Sequence, residues 1–185
     1  MENIGQLLKA IRFAAEKHRN QRRKDNDHSP YINHPIQVAE TLWEVGGVRD
    51  PSTLVAAVLH DTLEDTETSP DEIRQRFGQE VLGLVLEVSD DKRLPKAERK
   101  RLQIVHAPHI SPRAKNIKLA DKICNIRDLI DTPPADWPVR RQREYLRWAE
   151  KVVAGLRGAN PALEGLFDKE LARGKSSLHI KQDQR

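Results

Sequence analysis

The chain has 185 residues, enough for one domain with a substantial core. It is 37% hydrophobic, 32% charged and 4% aromatic, and its single cysteine excludes an internal disulfide framework and a cysteine-rich zinc site. The net charge of +4 comes from 32 basic and 28 acidic residues interspersed along the chain, so the local basic clusters (19–24, 96–101, 140–143) suit a small polyanion better than a nucleic-acid duplex.

Helical spacing dominates from the start. Ile4, Leu7, Leu8, Ile11 and Ala15 form an apolar stripe on a first helix. That amphipathic segment lacks a signal-peptide core. A polar, basic loop over 20–30 leads to Tyr31-Ile32-Asn33-His34-Pro35, where the proline can open a second helix that ends at Gly46-Gly47. A third helix is expected over 51–65. Ser69-Pro70-Asp71-Glu72 is a helix start with a capping-box acid, closed by Phe77-Gly78. The apolar run 78–88 is expected to be buried, and 95–105 to be a charged amphipathic helix. Ser111-Pro112 opens a long helix to 130. The stretch 132–136 reads as a rigid connection, and helices over 138–156 and 160–172 follow. No alternating strands or internal repeats occur. The expected fold is all-α: one compact domain over 1–174, with a flexible polar tail over 175–185. No apolar run nears the roughly 20 residues that span a bilayer, so a cytoplasmic protein with no membrane partner is expected.

The most informative segment is Val58-Leu59-His60-Asp61-Thr62-Leu63-Glu64-Asp65-Thr66. On a continuous helix, with His60 at zero, Glu64 falls near ~40°, Asp61 near ~100° and Asp65 near ~140°. Four ionisable groups on one side would be repelled or desolvated without a partner, and a divalent cation is the natural one. A lone buried histidine or a lone Glu-Asp pair would be unremarkable. Here His34 stands before Pro35 upstream, and Asp121 lies in Lys118-Leu119-Ala120-Asp121-Lys122 downstream. The metal set is then His34, His60, Asp61 and Asp121. Two imidazoles and two carboxylates suit Mn²⁺, Fe²⁺, Co²⁺ or Zn²⁺.

The order H…HD…D resembles the HD superfamily of metal-dependent phosphohydrolases. The narrower HDxxED pattern, with HRNQRRKD, PYINHP, VSDDK, ERKRLQ, KLADKICNIRDL and REYLRWA, is similar to the hydrolase domain of the RelA/SpoT family and its stand-alone small alarmone hydrolases. This resemblance implies an HD-domain fold and removal of the 3′-pyrophosphate from ppGpp or pppGpp. It favours Mn²⁺ and assigns Glu64 and Asp65 to the attacking water, either of them being the direct base. The chain ends before the family's synthetase domain would fit, so no synthesis is expected. An adenine alarmone hydrolase, an NADPH phosphatase and a catalytically silent nucleotide sensor are the alternatives.

Arg23 and Lys24, in the family-like RRK turn, are candidates to contact nucleotide phosphates or base. Tyr31 beside His34 is another. Asn125 shares a helical face with Asp121 and could reach ribose or phosphate. Arg141 and Tyr145 are an i, i+4 pair matching a substrate-facing pair in animal relatives. Cys124 is expected to be a buried structural thiol, and Lys118 and Lys122 to be solvated. His18, His28, His106, His109 and His179 have no comparable spacing and fall outside the expected site. Base preference and oligomeric state have no sequence signature.

Overall fold

The computed structural model describes residues 2–183. Ten helical segments occur among them, and the only extended pairing is an isolated antiparallel bridge between Arg22 and Pro30. They are α1 (Glu2–Lys17), α2 (Asn33–Glu44), α3 (Pro51–Leu59), α4 (Thr62–Asp65), α5 (Pro70–Phe77), α6 (Gln79–Val88), α7 (Lys96–His106), α8 (Pro112–Asp131), α9 (Val139–Ala154) and α10 (Pro161–Asp183). None of the helices is long and apolar enough to cross a membrane.

Three starts follow the capping chemistry of the sequence. Asp50, Ser69 and Ser111 each accept a backbone N–H three residues on, and each precedes a proline. Every residue from Thr53 to Leu59 is buried, so α3 is the centre, packed by α1, α2, α6 and α8. Ile117, Leu119, Ile123 and Ile126 of α8 are fully buried around it. Burying each contributes about 1.5–3 kcal/mol, and Ile123→Ala would cost about 2–5 kcal/mol. Where the loop after α7 passes the end of α9, a Cβ on Gly155 would come within 2.9 Å of both Ala107 and Pro108.

Four expectations need correction. The helix expected over 51–65 is broken. His60 Nδ1 donates to the Ala57 carbonyl at 2.7 Å, and Thr62 Oγ1 donates to that of Leu59 at 2.6 Å. These side chains take the carbonyls that a continuing helix would give to backbone N–H groups. The stripe on α1 is only partly right: Leu7 and Ile11 pack against the core, but Ile4 and Leu8 are 66% and 60% exposed, and Ala10, Phe13 and Ala14 are the buried residues. Phe13 meets Phe77 edge-on at 5.4 Å, which sets that rotation. The last helix does not stop near 172, and the segment expected as a tail is helical to Asp183. Gly174 allows close packing on Leu146, Leu178 is buried, and Arg143 donates to the Leu178 carbonyl at 2.7 Å. Residues 184–185 of the expected tail lie outside the described residues. Finally, Lys118 and Lys122 are buried, not solvated, at 8% and 4% exposure.

Candidate metal centre and cleft

His34 from the first turn of α2, His60 from the break after α3 and Asp121 from the middle of α8 converge. Their ligand atoms lie within 4.8 Å of one another. His34 Nε2 is 3.1 Å from Asp121 Oδ1, and His60 Nε2 is 3.9 Å from the same oxygen. Asp61 borders this cluster: its Oδ2 is 3.0 Å from His60 Nε2 and 4.0 Å from His34 Nε2, and accepts the Tyr31 hydroxyl at 2.5 Å. The donor chemistry fits a divalent ion. Because His60 Nδ1 donates to Ala57, Nε2 is the nitrogen turned toward the cluster, 3.0 Å from Asp61 Oδ2, and in the neutral imidazole it offers a lone pair.

The electrostatics carry the same message. Burial alone would lower the pKa of His60, but the Asp61 and Asp121 carboxylates push it up to about 9. Burial lowers that of His34, against the pull of Asp121. Burial would raise both aspartates, yet His60 holds Asp61, and Lys122 with His34 holds Asp121, well below the usual carboxylate range. The carboxylates therefore stay anionic and the imidazoles compete to neutralise them, as a cation would. Both Asp121 oxygens are oriented: Lys122 Nζ lies 2.8 Å from Oδ2, and Asn125 Nδ2 2.5 Å from Oδ1.

Glu64 and Asp65 line the same cavity of about 280 Å³ as these groups. Each oxygen of the pair has its own donor. Glu64 Oε1 accepts from Arg99 at 3.1 Å and Oε2 from the Asp90 backbone N–H at 3.2 Å. Asp65 Oδ1 accepts from Lys92 at 2.5 Å and Oδ2 from Gln21 at 3.1 Å. Burial raises the pKa of Glu64, and the Asp61 and Asp90 charges add to that.

Two further cavities adjoin this one. The first, about 290 Å³, is lined by Arg23, Lys24, Tyr31, Asn125 and Tyr145 among others. The second, about 790 Å³, is lined by Arg141 and Tyr145 with Lys96, Lys100, Trp137 and Trp148. Tyr31, Asp65, Asn125 and Tyr145 line both the first of these and the metal-ligand cavity, so the three form one branched cleft. All six expected substrate contacts thus face that cleft, five on one branch and Arg141 on the other. Arg23 is engaged within the protein, bridging Asp128 and Asn125, with its guanidinium 5.6 Å from the Tyr31 ring. Arg141 stacks over Trp137 at 4.2 Å. Cys124 is buried beside Thr41, its thiol pushed up to about 12 by burial.

Sequence reasoning missed Arg99, Lys92 and the buried roles of Lys118 and Lys122. Lys118 donates to the Val88 carbonyl at 3.0 Å, and Lys122 lies 4.7 Å from the Trp148 ring centroid as well as against Asp121. The VSDDK and ERKRLQ segments held the first two, but nothing in their spacing marks them as facing Glu64 and Asp65.

A helical domain that gathers two imidazoles and carboxylates at one point, beside a cleft whose larger branch is predominantly basic, is the architecture of a metal-dependent phosphohydrolase. The family model described as HD domain matches residues 10–160, and the chain belongs to the HD domain family. It is 56% identical over 162 residues to guanosine-3′,5′-bis(diphosphate) 3′-pyrophosphohydrolase MESH1 of Xenopus tropicalis, covering 88% of this chain and 90% of that one. To the Homo sapiens protein of the same name it is 57% identical over 159 residues, covering 86% and 89%. Among solved structures, a metazoan ortholog of SpoT that hydrolyses ppGpp superposes with a TM-score of 0.89 at 47% identity, over 91% of this chain and 94% of that one.

Proposed function

We propose that this protein is a metal-dependent guanosine-3′,5′-bis(diphosphate) 3′-pyrophosphohydrolase that converts ppGpp and water to GDP and pyrophosphate. The relatives of matching length carry that activity in their names. The observation that carries the reading is the shared cavity: the His34–His60–Asp121 cluster and the Glu64–Asp65 pair face one space, which opens to a larger branch where basic residues outnumber acidic ones.

His34, His60, Asp61 and Asp121 are the proposed ligands, and Mn²⁺ the proposed ion on the resemblance to the alarmone hydrolases, the donor set itself also suiting Fe²⁺, Co²⁺ or Zn²⁺. A divalent ion held there would supply Lewis acidity for the attack of water on phosphorus. Glu64 and Asp65 orient the water and accept its proton. The water oxygen forms a bond to the phosphorus joined to the 3′ oxygen. The bond from that phosphorus to the 3′ oxygen breaks, the 3′ oxygen takes up a proton, and pyrophosphate leaves. Arg23, Lys24, Tyr31, Asn125, Arg141 and Tyr145 are proposed to hold the nucleotide, and the cytoplasm is the proposed compartment.

The test is incubation of purified protein with ppGpp and Mn²⁺, with products identified by chromatography and phosphorus NMR. GDP with intact pyrophosphate is expected. Stepwise orthophosphate release contradicts the reading. Turnover of an adenine alarmone or NADPH without ppGpp cleavage replaces the substrate, and ppGpp binding without turnover under several metals replaces the enzyme by a sensor.

A further inference from the structure

His18 is the first residue after α1 and is only 2% exposed. Its imidazole belongs to no ligand set, yet it sits against the site. The chain turns back immediately, with Gln21 N–H donating to the His18 carbonyl at 2.8 Å. Within this turn His18 Nδ1 lies 2.7 Å from Gln21 Oε1, and Gln21 Nε2 donates to Asp65 Oδ2 at 3.1 Å.

The order of donors is fixed by chemistry. An ionised carboxylate only accepts, so the Gln21 NH₂ faces Asp65 and its carbonyl oxygen faces His18. That oxygen needs a donor, so His18 carries its proton on Nδ1. His18 Nε2 is then the buried atom without a partner. The same turn supports the other side of the centre. The Gln21 carbonyl accepts the Tyr31 N–H at 3.2 Å, and the His18 ring lies against the Tyr31 ring with centroids 4.8 Å apart. Tyr31 in turn donates to Asp61.

The other donor to Asp65 is of a different kind. Lys92 is 46% exposed and can exchange Asp65 for a phosphate or water. Gln21 is half-buried and tethered at both its backbone and its side chain. We propose that Gln21, set by His18, is the positioning residue for Asp65: the relay from His18 through Gln21 holds Oδ2 and leaves Oδ1 aimed at the attacking water. This rests on the role of Asp65 proposed above.

Two measurements test it. Nitrogen NMR of the histidines reads the tautomer in the intact protein without turnover. His18 is expected to carry a proton on Nδ1. A ring protonated on Nε2 alone requires the opposite amide orientation and overturns the relay. The second is a double-mutant cycle on ppGpp hydrolysis with Mn²⁺. Gln21→Met should lower kcat about 10–100-fold, the usual effect of a supporting partner, with KM and Mn²⁺ affinity unchanged. The variant combining Gln21→Met and Asp65→Asn should be no slower than Asp65→Asn alone, because Gln21 acts only through Asp65. Multiplying losses would overturn the relay while leaving Asp65 in place, whereas unimpaired Asp65→Asn would remove the role of Asp65 and the relay together. Gln21→Glu, with the same shape, guards against a packing defect. A carboxylate there cannot donate to Asp65, so its kcat should fall at least as far as that of Gln21→Met, and retained turnover would overturn the proposal.

Discussion

Lys122 Nζ lies 2.8 Å from Oδ2 of its sequence neighbour Asp121, and the two side chains are only 6% and 13% exposed. Two effects of this ammonium oppose each other. It repels a cation at the centre, and it fixes the carboxylate that would bind one. Asn125 holds the other Asp121 oxygen, so the carboxylate is fixed at both ends only while Lys122 is in place. Lys122→Met is expected to weaken Mn²⁺ binding about 10–100-fold, and Lys122→Arg to keep most of it. Calorimetric titration of metal-free protein measures this directly. Tighter binding by Lys122→Met would show that repulsion dominates.

The ligand set makes a graded prediction. Alanine at His34, His60 or Asp121 removes a member of the close cluster and should abolish stoichiometric Mn²⁺ with nearly all turnover. Asp61 stands beside that cluster and shares its oxygen with Tyr31. Asp61→Ala should also lose metal, whereas Tyr31→Phe should keep it and weaken it by about 10-fold at most. Elemental analysis of the purified variants reads the order. Full occupancy in Asp61→Ala would place Asp61 outside the ligand set.

Glu64 links activity to stability. Burial and the neighbouring carboxylates raise its pKa. Such a group binds more protons in the folded chain than in the unfolded one. Its contribution to stability is complete below the unfolded value, near pH ~4.3, and is lost as pH rises through the raised value. At neutral pH, ionised Glu64 therefore costs stability in the metal-free protein. Glu64→Gln should raise the Tm of the metal-free protein at pH 7. The gain should vanish below pH ~4. The same variant, loaded with Mn²⁺, should lose about 10²–10⁴-fold in kcat. A lower Tm at pH 7 would mean that the contacts of Glu64 with Arg99 and Asp90 outweigh its burial.

The helical architecture was legible because caps, prolines and apolar spacing agree with it. The clustering of His34, His60 and Asp121 was legible because metal-binding chemistry restricts the proposed ligands to few residue types. The break at His60 was not, since it depends on side chains competing for carbonyls that a helical wheel assumes are occupied. The burial of Lys122 was hidden for a similar reason: its partners, Asp121 and the ring of Trp148, come from its own neighbour and from a distant helix. His18 carries no such signature, because a histidine that supports a site has no ligand spacing of its own. Its role depends on a turn that brings Gln21 to Asp65. The length of the final helix depended on Gly174 and Leu178 meeting α9, a tertiary effect that overrides a polar local composition.

The two basic candidates that flank the cleft should differ in kinetics, because their contacts differ. Arg141 stacks over Trp137, and none of the ion pairs among the described residues includes it, so its charge faces the larger branch. Arg141→Ala should raise KM for ppGpp about 10-fold, the loss of one charged contact of roughly 1.5 kcal/mol, with kcat little changed. Arg23 instead joins Asp128 to Asn125, and Asn125 donates to Asp121. Removing its guanidinium frees Asn125 and leaves Asp128 without its cation. Arg23→Ala should therefore lower kcat as well as raise KM. Initial-rate measurements across ppGpp concentrations at saturating Mn²⁺ separate the two patterns. Equal effects on KM alone would show that the Arg23 network ends at the cleft wall and does not reach the metal centre.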